Sequence, residues 1–67
     1  MSEENILRYT DLAALIQMAR ARGWQTESIV REMSRGLSYS DALTLARKAA
    51  PLLDINVAEF MRWRKNE

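Results

Sequence analysis

The stretch Thr26–Ala50, TESIVREMSRGLSYSDALTLARKAA, decides the fold. It reads as a short helix, a glycine turn and a longer helix. Thr26 opens the first helix with Glu27 just inside it. Ile29, Val30 and Met33 make an apolar side, and Arg31, Glu32 and Arg35 are left for water or a partner. A helix of about two turns is marginal by itself and must be held by packing. Gly36 ends it. Ser38 then caps a second helix, because Ser38-Tyr39-Ser40-Asp41 has the form of a capping box with Asp in place of the usual Glu or Gln. Ala42, Leu45, Ala46 and Ala49 recur at i, i+3, i+4 and i+7, a stripe that Leu43 widens. Most of that stripe is alanine, so a neighbouring element can approach closely. Ser40, Thr44, Arg47 and Lys48 fall off the stripe and make a polar, basic face. Ala50-Pro51 predicts a stop, since the residue before proline avoids the helical region.

Working toward the N-terminus, Thr10 reads as the cap of another helix, with Asp11 in the first turn complementing the helix dipole. Leu12, Leu15, Ile16 and Ala19 give one apolar stripe, and Arg20 and Arg22 suit the last turn. Gly23 fits the left-handed residue of a Schellman ending. Trp24 is expected to fold back over Ala19 and Met18 as a core lid; the alternative is an exposed tryptophan that stacks on a ligand. Before this helix lies a lead-in in which Ile6, Leu7 and Tyr9 are apolar enough to dock. Ser2, Glu4 and Asn5 could start a turn there, and fraying is expected over residues 1–5.

Working toward the C-terminus, Pro51, Leu52 and Leu53 make a tight apolar joint. Asp54 or Asn56 caps a last helix, with Asn56 and Glu59 at capping-box spacing. Val57, Phe60 and Met61 form its inner stripe, which Arg64 extends, and Trp63 partly shares the face of Phe60. The tail from Arg64 on, and residues 65–67 above all, is expected to fray. Met18, Met33 and Met61 are scattered and read as core filler.

Composition sets the limits. The chain has 67 residues, of which 48% are hydrophobic and 28% charged, with two glycines, one proline and neither cysteine nor histidine. This is the composition of one globular, all-helical domain covering residues 1–67. A chain of this size buries only about 60% of its unfolded surface. Its core supplies roughly 3–5 kcal/mol. With no disulfide or thiolate metal site to help, a homodimer is the expected source of further buried area, joined through the alanine-rich helix or the terminal helix. No apolar run approaches the roughly 20 residues that span a membrane. The first residues are acidic where a secretory signal is basic and then apolar, so the expected location is cytoplasmic.

Chemistry is scarce. Without Cys or His, and without a GxSxG, a glycine-rich phosphate loop or a paired carboxylate motif, the chain reads as neither an enzyme nor a cofactor or metal protein. Ser28, Ser34, Ser38 and Ser40 have no base within sequence reach. The net charge is only +1, but it is polarised. Residues 1–15 hold Glu3, Glu4 and Asp11 against Arg8, whereas residues 60–65, FMRWRK, hold Arg62, Arg64 and Lys65 with no acid.

Two surfaces are therefore candidates. The first is the helix–turn–helix-like unit. A serine-capped helix with a polar, basic side suits contact with double-stranded DNA. Tyr39, Ser40 and Thr44 would approach base edges, Arg35, Arg47 and Lys48 would meet phosphate, and Ser38, the cap, counts with them as nucleic-acid-binding. Against this, the usual register places a small residue four before the glycine and an apolar one just before it, and here those are Glu32 and Arg35. The plain alternative is a helical hairpin that only packs. The second candidate is the C-terminal helix. Phe60, Arg62, Trp63 and Arg64 there combine residue types enriched at protein interfaces, though an amphipathic helix with a solvated basic end has the same pattern. The expected function is a small dimeric transcriptional regulator, of the size found in phage and plasmid operons. The alternative is a protein-binding module of inhibitor, adaptor or antitoxin type. A helical RNA-binding module is a weaker third.

Overall fold

A computed structural model describes residues 9–65, the side chains of residues 9 and 10 apart. The described residues form four helices: α1 (Tyr9–Ala21), α2 (Thr26–Ser34), α3 (Tyr39–Leu53) and α4 (Val57–Lys65). The described residues contain no strand. The fold is all-α, a small helical bundle. α1 packs chiefly on α3, while α4 lies across both α2 and α3 and closes the core between them.

The apolar stripes meet in one cluster. Leu12 and Ile16 come from α1, Ile29 and Val30 from α2, Leu45, Ala46, Ala49, Ala50 and Leu53 from α3, and Phe60 from α4. Phe60, Val30 and Leu45 are fully sealed. Burial of a side chain like Phe60 contributes about 1.5–3 kcal/mol. The alanines of α3 are buried where α1 and α4 pack on it, as expected from the stripe. Ser34 is the one buried polar residue among those described, and its hydroxyl donates to the Val30 carbonyl at 2.7 Å.

The helix ends follow local chemistry. Gly23 takes φ +88°, with Trp24 N–H donating to the Ala19 carbonyl at 3.1 Å and Gly23 N–H to the Arg20 carbonyl at 2.9 Å. This is the Schellman ending. Gly36 takes φ +79° and frees the chain to turn from α2 into α3. Ser38 Oγ accepts the Asp41 N–H at 3.2 Å. At α4 the full capping box forms: Asn56 Oδ1 accepts the Glu59 N–H at 2.7 Å and Glu59 Oε1 accepts the Asn56 N–H at 3.1 Å.

Several expectations are corrected. Thr10 is not an N-cap, because α1 is already under way at Tyr9. Leu15 is not a core anchor but 49% exposed, and Met18 is 52% exposed. α1 carries an apolar stripe wider than the side α3 covers, so Leu12 and Ile16 are sealed and the flank is left out. Trp24 is no lid: its backbone N–H makes one of the two Schellman bonds, yet the residue is 43% exposed. Leu52 is only partly buried against the core, and Leu53 takes the inner position. Pro51 does not stop α3. Its ring is exposed, and the carbonyl that loses a donor belongs to the exposed Arg47, where water can serve it. The helix ends instead at Asp54, in the left-handed region at φ 64°, with Ile55 N–H donating to the Ala50 carbonyl at 3.1 Å. Arg64 and Lys65, expected to fray, are helical. The lead-in of residues 1–8, the side chain of Tyr9 and the tail at residues 66–67 lie outside the described residues, and so do the expectations placed on them.

Candidate functional site

α3 is divided lengthwise. Ala42, Leu45, Ala46, Ala49 and Ala50 are buried, while Ser40, Asp41, Thr44, Arg47 and Lys48 are exposed. On a helix of 3.6 residues per turn, Ser40, Thr44 and Arg47 fall on one ridge, with Lys48 beside it. Thr44 donates its hydroxyl to the Ser40 carbonyl at 3.2 Å, so the lone pairs of its oxygen are what it offers outward. Tyr39, in the first turn, is 64% exposed. Ser38 spends its oxygen on the cap. Arg35 meets Glu32 in an ion pair of 2.7 Å, exposed on both sides.

The second candidate surface proves to be adjacent to the first. A surface hollow of about 500 Å³ is lined by Tyr39, Met61, Arg62 and Lys65. A cleft of about 570 Å³ is lined by Arg31, Ser34, Arg35, Gly36 and Arg64. Among the described residues no acidic side chain lines either one, though Arg35 of the cleft is paired with Glu32. Between them Arg64 donates from Nη2 to the Leu37 carbonyl at 3.2 Å, tying the last turn of α4 to the turn before α3. The start of α3 and the basic C-terminus thus share one end of the molecule. Phe60 is wholly inside the core and Trp63 is half-buried against it, so of that aromatic pair only Trp63 reaches the surface. Arg31 was not foreseen as part of a site. Its spacing of four from Arg35 is the signal that places both on one face. Arg64 closing the cleft had no such signal, because the contact joins residues 27 apart in the chain.

A third surface is apolar. Leu15, Met18, Trp24 and Met33 wall a groove of about 190 Å³ between α1 and α2, with Arg22 and Glu32 also on its lining. A second arginine-to-carbonyl contact, from Arg20 Nη2 to the Leu53 carbonyl at 3.4 Å, belongs to the scaffold, where it tethers α1 to the end of α3. Among the described residues no buried side-chain nitrogen or oxygen lacks a partner. No described helix is long and apolar enough to cross a membrane. The chain matches no family model, no curated protein and no solved structure.

Proposed function

We propose that the protein is a small cytoplasmic DNA-binding regulator that lays α3 against the duplex. The observation that carries this reading is the division of α3, with its alanine side sealed and Ser40, Thr44, Arg47 and Lys48 turned to solvent. A helix about 10–12 Å across fits a major groove about 12 Å wide. Hydroxyls of Ser40 and Thr44 are short enough to reach base edges without lifting the helix away. Arg47 and Lys48 supply sequence-independent attraction to phosphate. Tyr39 sits at the rim, and Arg35 can exchange its exposed partner Glu32 for phosphate, since such surface pairs are worth about 1 kcal/mol or less.

Two copies would read two half-sites roughly 34–36 Å apart. The alanines of α3 are not the contact between copies, because they are consumed in the core. The groove of Leu15, Met18 and Trp24 is the better surface for a second copy. In a two-fold arrangement each patch faces itself, so Arg22 of one copy can approach Glu32 of the other. Replacing Leu15 by Glu is expected to give monomer in sedimentation equilibrium while leaving the helical circular dichroism unchanged. A wild-type monomer at all accessible concentrations would remove the dimer.

The DNA reading is tested by titrating a labelled duplex in rising salt. Binding is expected to weaken linearly on a log–log plot as counterions are released. No binding to any duplex at low salt would remove it. The second reading, a protein-binding module, is favoured by half-exposed Trp63 next to exposed Arg62. It requires Trp63→Ala to abolish capture of the partner, and it is set aside if wild type and variant retain the same proteins.

A further inference from the structure

We infer that Tyr39, Arg62 and Lys65 hold the phosphodiester backbone of duplex DNA along one flank of α3, where the last turn of α4 stands beside the first turn of α3. This rests on the DNA reading above and adds α4, which that reading does not use. A helix lying in the major groove has a phosphate strand on each side of it. The helical register tells the two flanks of α3 apart. Tyr39 and Lys48 are nine residues apart, about two and a half turns, so they stand on opposite sides of the ridge of Ser40 and Thr44. Asp41, about two turns before Lys48, shares the Lys48 flank, and its carboxylate disfavours phosphate there. On the Tyr39 flank the neighbour is basic instead. Tyr39 shares a hollow with Met61, Arg62 and Lys65, and among the described residues no acid lines it.

The donors of this hollow are available to an occupant. Among the described residues, Arg62 and Lys65 make no hydrogen bond or ion pair. Both are exposed, and at a spacing of three they share one face of α4. The one acid of α4, Glu59, lies in its first turn and spends its carboxylate on the Asn56 N–H. Tyr39 is 64% exposed, and its hydroxyl likewise bonds to nothing among the described residues. That hydroxyl adds a neutral donor beside the two cations. The platform is also held in place. Arg64 Nη2 donates to the Leu37 carbonyl at 3.2 Å, two residues before Tyr39, and Phe60 anchors α4 in the core. Arg62 and Lys65 therefore stand at a set distance from the ridge of α3. A duplex suits this better than an acidic peptide, because Tyr39 belongs both to the hollow and to the exposed side of α3, and one occupant spans the two.

The test compares wild type, Arg62→Gln, Lys65→Gln, Tyr39→Phe and the control Gln25→Glu by fluorescence anisotropy on one labelled duplex across a salt series. All four side chains are exposed, so each variant is expected to keep the wild-type circular dichroism. Arg62→Gln and Lys65→Gln are each expected to weaken binding about tenfold and to reduce the slope of log K against log salt by about one. Tyr39→Phe removes a neutral donor and is expected to weaken binding about threefold while the slope holds. Gln25→Glu lowers the net charge by the same single unit at the far end of α2, and is expected to change neither. If wild type binds and the three hollow variants match it in affinity and slope, the flank contact is overturned and the α3 reading stands. If the control loses as much as Arg62→Gln, net charge explains the loss and the contact is again overturned. If wild type binds no duplex, both fall. Hollow variants that lose polyglutamate but keep the duplex would assign the hollow to an acidic protein and overturn the contact.

Discussion

Phe60 and Trp24 show how differently two aromatic side chains can count in a chain this small. Phe60 is fully buried at the point where α4 closes on α2 and α3. Phe60→Ala should cost about 3–5 kcal/mol, as much as the whole core supplies, so its circular dichroism is expected to lose the cooperative thermal transition. Trp24→Ala should cost less than about 1 kcal/mol, because nearly half of the ring already faces solvent. A large loss on Trp24→Ala in dilute solution would mean that the groove is covered. The glycine ending could be read from sequence because it depends on Gly23 alone. The side to which Trp24 turns could not, since that depends on Leu15 and Met18 lying beyond the reach of α3. Asp54 is a second residue whose role had to be seen. It is the only non-glycine residue with positive φ among those described. Asp54→Gly is expected to raise stability by about 0.5 kcal/mol, and the melting temperature by roughly 2–4 °C. A fall would show that the Asp side chain holds the turn.

At the scale of the helix, caps carried most of the information. Ser38 and the Asn56–Glu59 pair were legible because their bonds close within three residues. Ser38→Ala and Asn56→Ala are each expected to cost about 1 kcal/mol in chemical denaturation, with the m-value unchanged. Pro51 misled for a physical reason. A pre-proline residue disfavours helix by a local steric term, but Ala50 and Leu53, 1% and 2% exposed, hold the last turn against the core. Tertiary burial outweighed the local preference. The stripe of α1 misled in the other direction. Its four apolar positions gave the helix correctly, yet periodicity states only which side is apolar, not how much of that side a neighbour covers. Helix α2 needed no such correction: its bounds are those read from Thr26 and the glycine turn, since polar ends and the Ile29–Val30 pair both mark them.

For the molecule as a whole, sequence separated a helix–turn–helix from a basic C-terminus, and folding brings them to one end. The juxtaposition rests on Arg64 reaching Leu37, a contact that no local pattern encodes. The proposed regulator thus has two surfaces with two jobs: the polar side of α3 toward the duplex, and the Leu15–Trp24 groove toward a second copy. These surfaces lie on different elements, so one residue-resolved experiment distinguishes them. A duplex titrated into 15N-labelled protein at low salt should shift the amides of Arg35–Lys48 and Arg62–Lys65 together, with those of Leu12–Ala19 unmoved. Shifts confined to the Leu15–Trp24 groove, or none at any duplex concentration, would contradict the account.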